Sequence, residues 1–221
     1  MSESAIILIP VYHHINYRLQ ELLTRTQFPC IRAYGNSDIA LCRSRLLTTA
    51  LQTKATRFLW LDADMVIEEK DLFDMLTTDA PLLSGVYVTA DCVPCLQTAP
   101  EYVGKPLPES GRIPINWAGF GCVSMAREVA EAVVSRLPYL KTGVWPAFFP
   151  MLLDESGKEV GASDPTAHHW YSEDMSFFKR ARDAGYQAEL QCDVRLGHLK
   201  EIPIPVMANQ ALLAMAKGMG A

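Results

Sequence analysis

The sequence predicts an α/β fold, one domain with a central mixed, mostly parallel sheet flanked by helices. Three observations predict it. Over the first ninety residues, apolar runs of strand length alternate with stretches of helical period. The run Ala5–Val11 is continuously apolar and is ended by a polar stretch, as in a strand covered on both faces. The chain has 221 residues, 49% apolar and 20% charged, enough to build a core without disulfide staples.

Taken in order, Ala5–Val11 reads as the first strand. Ile15–Thr26 reads as a helix with Leu19, Leu22 and Leu23 on one face. Cys30–Tyr34 is a second strand closed by Gly35-Asn36. A second helix starts at Ser37, read as its N-cap, and runs to about Lys54, with Leu46, Leu47, Ala50 and Leu51 inward. Thr56–Leu61 is a strand leading straight into Asp62-Ala63-Asp64. Glu68–Thr77 is a helix and Leu82–Thr89 a strand. The stretch 90–112 carries four prolines and no clear period, so it reads as a functional loop. Ile113–Trp117 and Phe120–Met125 are strands around Ala118-Gly119, and Arg127–Arg136 is a helix. Residues 137–171 read as irregular. Glu173–Ala184 is a helix with Ser172 at its N-cap and Gly185 just past its end. Gln187–Leu190 is a last strand before Gly197-His198. A weak helix, at about 205–221 and rich in Met207, Met215 and Met219, ends the chain and packs on the body or on another subunit, so a homo-oligomer is one expectation.

Composition excludes several classes. The net charge is −5 and no Lys/Arg run exists, so direct nucleic-acid binding is not expected. No stretch approaches the roughly 18 apolar residues of a membrane span, and Glu3 precedes an apolar run too short for a secretory leader. A cytoplasmic location is expected, with the six cysteines reduced. Cys92-Val-Pro-Cys95 is a lone C-x-x-C, a redox or zinc half-site at most.

Three places carry chemistry. Asp62 and Asp64 follow a buried strand, where α/β sheets open their ligand crevice. Two such carboxylates repel each other unless a cation intervenes, and a hard divalent ion, Mn²⁺ or Mg²⁺, suits oxygen ligands. The plainer reading is a strand end facing water. Glu173 and Asp174 open a helix, where acids are favoured by the helix dipole in any case. A functional role needs one of them near the crevice as a proton acceptor. His198 could add a nitrogen ligand that tilts the choice toward Mn²⁺, or simply pack. Lys200 could offer a point charge to phosphate. Trp117, Trp145, Phe148 and Phe149 read as a sugar-stacking platform or as packing. The doublets His13-His14 and His168-His169 read as loop residues.

The order of these pieces resembles the metal-dependent, D-x-D-containing glycosyltransferases of the GT-A fold, particularly small bacterial and phage-type members, over roughly residues 5–200. The pieces are Ile7-Leu8-Ile9-Pro10-Val11-Tyr12, Asn36 to Arg45, Phe58-Leu59-Trp60-Leu61-Asp62-Ala63-Asp64-Met65, Gly119-Phe120-Gly121, Tyr171-Ser172-Glu173-Asp174 and Gly197-His198. The resemblance implies a hexosyltransferase-type enzyme moving a sugar from a nucleotide-sugar, UDP favoured, to an acceptor hydroxyl on a glycan, a lipid-linked molecule or a small molecule. It implies a metal site of Asp64, His198 and Asp62, with Asp64 ligating the ion directly. Asp62 would face the donor ribose or a metal-bound water. The nucleotide-sugar site would include Pro10, Tyr12, Arg43, Asp62, Ala63, Asp64 and Lys200, with Arg43 or Arg45 either pointing to the nucleotide or bracing the D-x-D turn. Asp174 would match the general base of inverting members, with Glu173 beside it. Some relatives with this D-x-D type retain configuration, so the stereochemistry stays open. Two other readings remain. A nucleotidyltransferase normally wants a Gly-rich basic loop after the first strand, where this chain has Pro10-Val11-Tyr12-His13-His14. A non-catalytic nucleotide-sugar binding module would not need Asp174.

Overall fold

The computed structural model describes residues 4–35, 37–88, 94–161 and 163–199. Strand β1 (Ala5–Val11) leads to helix α1 (Tyr17–Thr26), β2 (Cys30–Tyr34), α2 (Ile39–Leu51) and β3 (Arg57–Leu61). A two-residue strand β4 (Met65–Val66) precedes α3 (Glu69–Thr77) and β5 (Leu82–Val86). Then come β6 (Leu96–Thr98), β7 (Arg112–Ala118), β8 (Cys122–Ala126) and α4 (Arg127–Val134). Short strands β9 (Met151–Leu153), β10 (Glu159–Val160) and β11 (His169–Tyr171) lead to α5 (Glu173–Asp183), β12 (Ala188–Arg195) and β13 (Gly197–His198).

Eight strands form the main sheet in the order β2-β1-β3-β8-β5-β12-β7-β6. Six of them run one way; β8 and β7 are reversed. Each reversed strand lies between two forward ones, so antiparallel pairings slightly outnumber parallel ones although most strands share a direction. The chain order switches side at β1, which has β2 on one flank and β3 on the other. Such a switch leaves a crevice at the carboxyl ends of the flanking strands.

Burial explains the apolar runs. Alternate side chains of a strand face opposite sides of a sheet. Ile6 and Leu8 of β1, with Phe58 and Trp60 of β3, enter the core beneath α2, α4 and α5. Ile7, Ile9 and Val11, with Leu59 and Leu61, enter the core beneath α1 and α3. Both faces are covered, so no polar residue interrupts the run. Phe120, Phe148, Phe177 and Trp60 interlock edge to face in the first core. Phe148 is therefore core, not a sugar platform.

Helices α4 and α5 start where expected, while α1 and α2 start one or two residues later for a capping reason. Helix α1 begins after Asn16, whose Oδ1 accepts from the Leu19 N–H at 3.0 Å. Helix α2 is capped by Asp38 rather than Ser37, with Oδ1 accepting from the Leu41 N–H at 3.0 Å. Helix α5 ends where Gly185 turns to φ +94°, a left-handed value that costs glycine nothing. Residues 90–112 and 137–171 were expected to be irregular, yet they contribute β6 at the sheet edge and the small antiparallel sheet β10-β9-β11. The sequence-predicted tail helix, Lys200, Asn36, Cys92 and the start of the proline-rich stretch lie outside the described residues. No helix among the described residues is long and apolar enough to cross a membrane.

Candidate active site

Four segments meet at the carboxyl edge of the sheet. The turn after β3 carries Asp62-Ala63-Asp64, and the Asp62 N–H donates to the Gly121 carbonyl at 3.1 Å, fixing the turn against the β7–β8 connection. The turn is stapled from the other side by Asn16, whose Nδ2 donates to the carbonyls of Ala63 (3.0 Å) and Met65 (2.7 Å). Asn16 thus caps α1 and holds the D-x-D turn with one side chain. Sequence reading missed it; an Asn directly before an apolar-periodic helix was the available signal.

Strand β13 pairs antiparallel with β4, His198 opposite Met65, and the Leu199 N–H donates to the Asp64 carbonyl at 2.9 Å. This short ladder brings His198 Nε2 to 2.8 Å from Asp64 Oδ2. The Asp64 side chain is 40% exposed. The other ring nitrogen, Nδ1, lies 3.4 Å from the Val88 carbonyl. Helix α5 precedes β12 and runs back along it, so its first turn lies at the same edge as the end of β3. That turn carries Glu173 and Asp174.

Arg43 of α2 joins these acids. Its side chain is only 4% exposed. Nη2 donates to both oxygens of Asp62, at 3.0 and 3.1 Å. Nη1 donates to Asp174 Oδ1 and, at 3.3 Å, to Glu173 Oε1. Burial works against the Arg43 charge, but Asp62, Asp174 and Glu173 outweigh it and hold the guanidinium protonated. Burial also raises Asp62, against the pull of Arg43. Asp174 is pushed up to about 6 chiefly by burial, opposed by Arg43 and a hydrogen bond from the Phe120 backbone, and reinforced by Glu173 and Asp62.

Beside the turn lies a cavity of about 710 Å³, walled by Pro10-Val11-Tyr12-His13-His14 at and after the end of β1, Asn16 and Tyr17 at the start of α1, Ile39 and Cys42 of α2, and Asp62-Ala63-Asp64. It sits at the β1/β3 switch. Pro10, Tyr12, Asp62, Ala63 and Asp64, named from sequence, all line it. Arg43 does not: it is buried against Asp62, Glu173 and Asp174. Asp62 spends both oxygens on Arg43 and is not shared with the Asp64–His198 pair. Sequence reading also missed Tyr87, directly after β5. Its ring stands edge-on to His198 at 5.7 Å, and it crosses the β7–β8 turn so closely that a Cβ at Gly119 would lie 1.9 Å from its hydroxyl. Burial, with Cys95 nearby, raises the Tyr87 phenol.

No family model matches this chain, and no curated protein matches it. Among solved structures it is similar to A197 from STIV, with 15% identity and TM-score 0.59 over 89% of this chain and 86% of that one. It is also similar to GalNAc-T7, crystallised with UDP, GalNAc and Mn²⁺, with 11% identity and TM-score 0.52 over 92% of this chain. Only 45% of the GalNAc-T7 chain is covered, so this chain spans less than half of that one. A fainter likeness, TM-score 0.41 at 11% identity over 93% of this chain and 75% of that one, is to an inositol-1-phosphate CTP transferase from T. maritima; it is too slight to bear on function. At these identities the likeness shows the fold, an α/β architecture of GT-A type.

Proposed function

We propose that the chain is a metal-dependent glycosyltransferase that takes a sugar from a nucleotide-sugar, UDP-linked by preference, and delivers it to an acceptor hydroxyl. The observation that carries this reading is the pairing of His198 with Asp64, which lines the 710 Å³ cavity. The pair fits Mn²⁺ or Mg²⁺ on its donor chemistry: one carboxylate oxygen and one imidazole nitrogen. Their 2.8 Å separation also matches neighbouring ligands of a six-coordinate ion, which lie about 3 Å apart when each bond is about 2.1 Å. Among the described residues no third His, Cys, Asp or Glu completes a protein-only site, which suits an ion that takes its other ligands from a diphosphate and water. When bound, the ion offsets the charge that grows on a leaving nucleoside diphosphate. That chemistry explains how an acidic chain can handle a diphosphate.

The protein's own residues divide the remaining work. Pro10, Val11, Tyr12 and Ile39 give the cavity an apolar wall for a nucleoside, and Asn16 keeps the D-x-D turn in place. Asp174, whose carboxyl titrates near 6, is ionised at neutral pH and basic enough to accept the acceptor hydroxyl's proton. A protein that only binds nucleotide-sugars has no need for a proton acceptor there, and the post-β1 segment holds no glycine-rich basic loop for nucleotidyl transfer. A thermal-shift screen of UDP-, GDP- and other nucleotide-sugars, with and without Mn²⁺, tests the reading. A UDP-sugar is expected to raise Tm only when Mn²⁺ is present. No Mn²⁺-dependent shift with any donor overturns it.

A further inference from the structure

We propose that Arg43 is the positioning residue for Asp174, not a nucleotide-binding residue; this deepens the transferase reading and rests on it. Its neighbours on α2, Ile39 and Cys42, face the cavity, while Arg43 itself is buried with both Nη groups on protein carboxylates. The guanidinium lies over the Phe120 ring, 5.5 Å from its centroid. Phe120 is wedged among Trp60, Phe148, Phe177 and Phe178, so the cation is backed by the rigid core and cannot swing toward a ligand. The Phe120 backbone also favours the ionised form of Asp174. One residue therefore adjoins both the cation and the acid it serves.

The charge balance gives the clamp its purpose. Asp174 is faced by Arg43 from α2, by Asp62 from the end of β3, by Glu173 beside it on α5, and by the Tyr87 phenol after β5. Of these only Arg43 is cationic. Without it three carboxylates share one partly buried space and repel each other. A guanidinium serves two carboxylate groups at once through its planar fork; an ammonium is a single point charge and cannot. Arg43 thereby ties the D-x-D turn to the first turn of α5, two segments more than a hundred residues apart in sequence.

The test compares Arg43→Gln and Arg43→Lys with wild type. UDP and Mn²⁺ affinity is read by calorimetry, and UDP release by steady-state kinetics on whichever nucleotide-sugar the wild type turns over. For Arg43→Gln we expect UDP affinity within about threefold of wild type, kcat lower by about 100-fold, and KM nearly unchanged. Arg43→Lys should recover about tenfold of that loss. Loss of UDP affinity in step with kcat, or a wild-type kcat, overturns the assignment. If Arg43→Gln does not fold, Arg43→Lys decides alone: kcat down about tenfold with UDP affinity kept supports it, and wild-type kinetics overturn it. If the wild type releases UDP from no donor, the transferase reading fails, and Arg43 is judged on the Asp174 carboxyl-carbon resonance, identified by its absence in Asp174→Asn. That resonance should titrate at higher pH in Arg43→Gln than in wild type; an unchanged midpoint overturns the assignment.

Discussion

The edge of the sheet holds two acidic groupings of opposite design. The Asp64–His198 pair opens through Asp64 alone: the Asp64 side chain is 40% exposed and lines the cavity, while His198 behind it is 14% exposed. Asp62, Glu173 and Asp174 are closed around Arg43, whose side chain is 4% exposed. The Asp64–His198 pair offers one carboxylate oxygen and one imidazole nitrogen to a cation supplied from solution. The closed group carries its own cation, supplied by α2. Carboxylates two residues apart, Asp62 and Asp64, thus take different hydrogen-bond partners, although each feels the other's charge. Spacing in sequence does not reveal that; the direction of each side chain at the strand end does.

Four substitutions break or sharpen this contrast. The largest effect falls on the closed group: Asp174→Asn should cut turnover by roughly 10²–10⁴-fold, the usual contribution of a general base, while UDP and Mn²⁺ binding measured by calorimetry stays. Equal loss of binding would merge the two groupings into one. Next, Asp64→Ala should weaken Mn²⁺-dependent UDP binding by about 100-fold with the unfolding transition intact; unchanged titrations move the cation elsewhere. His198→Ala should weaken it by about tenfold, since one of two protein ligands remains. The smallest effect belongs to the scaffold. Gly119→Ala places a methyl group where the Tyr87 hydroxyl now lies and should cost about 1–3 kcal/mol of stability by overpacking. The double change with Tyr87→Ala should restore much of it; no restoration would mean that the turn itself, not Tyr87, demands glycine.

The closed group also predicts a pH dependence with a definite sign. The Asp174 carboxyl is raised from 3.8 to about 6 in the folded chain, so the folded state holds that proton more tightly than the unfolded one. Its favourable contribution is complete below the unfolded value and is lost as pH rises through about 6, amounting to at most about 3 kcal/mol. Asp174→Asn should therefore be more stable than wild type by about 1–3 kcal/mol near pH 7.5, with the gap closing toward pH 4. Denaturant unfolding at the two pH values checks this. Wild-type turnover should rise through the same region, because the base must be ionised to act.

The legible and illegible parts of the molecule differ for physical reasons. Strands β1 and β2 have the residue limits read from the sequence, because both ends of each are marked by abrupt changes of composition. The capping residues Asn16 and Asp38 shifted two helix starts, since several polar residues in a row compete for the cap. The strands β6, β9, β10 and β11 have two or three residues each, too few to show a period. The Asp64–His198 meeting was expected from resemblance, and the β13–β4 ladder accounts for it. The Arg43 cluster was only half visible. Arg43 was singled out, but its partners Glu173 and Asp174 lie 130 and 131 positions away, and only the packing of α5 on the sheet, chiefly on β7, brings them together. Asn16 and Tyr87 act through backbone carbonyls and glycine space, which leave no mark in a motif.

The central claim is that the open pair is where a divalent ion and a nucleoside diphosphate meet. A crystal soaked with MnCl₂ and UDP, with data collected at the manganese absorption edge, tests it directly. The account predicts an anomalous peak bonded to Asp64 and His198, with the uracil in the cavity beside Tyr12 and Pro10 and Arg43 still on its three carboxylates. Manganese bound away from that pair, or UDP seated outside the cavity, would contradict it.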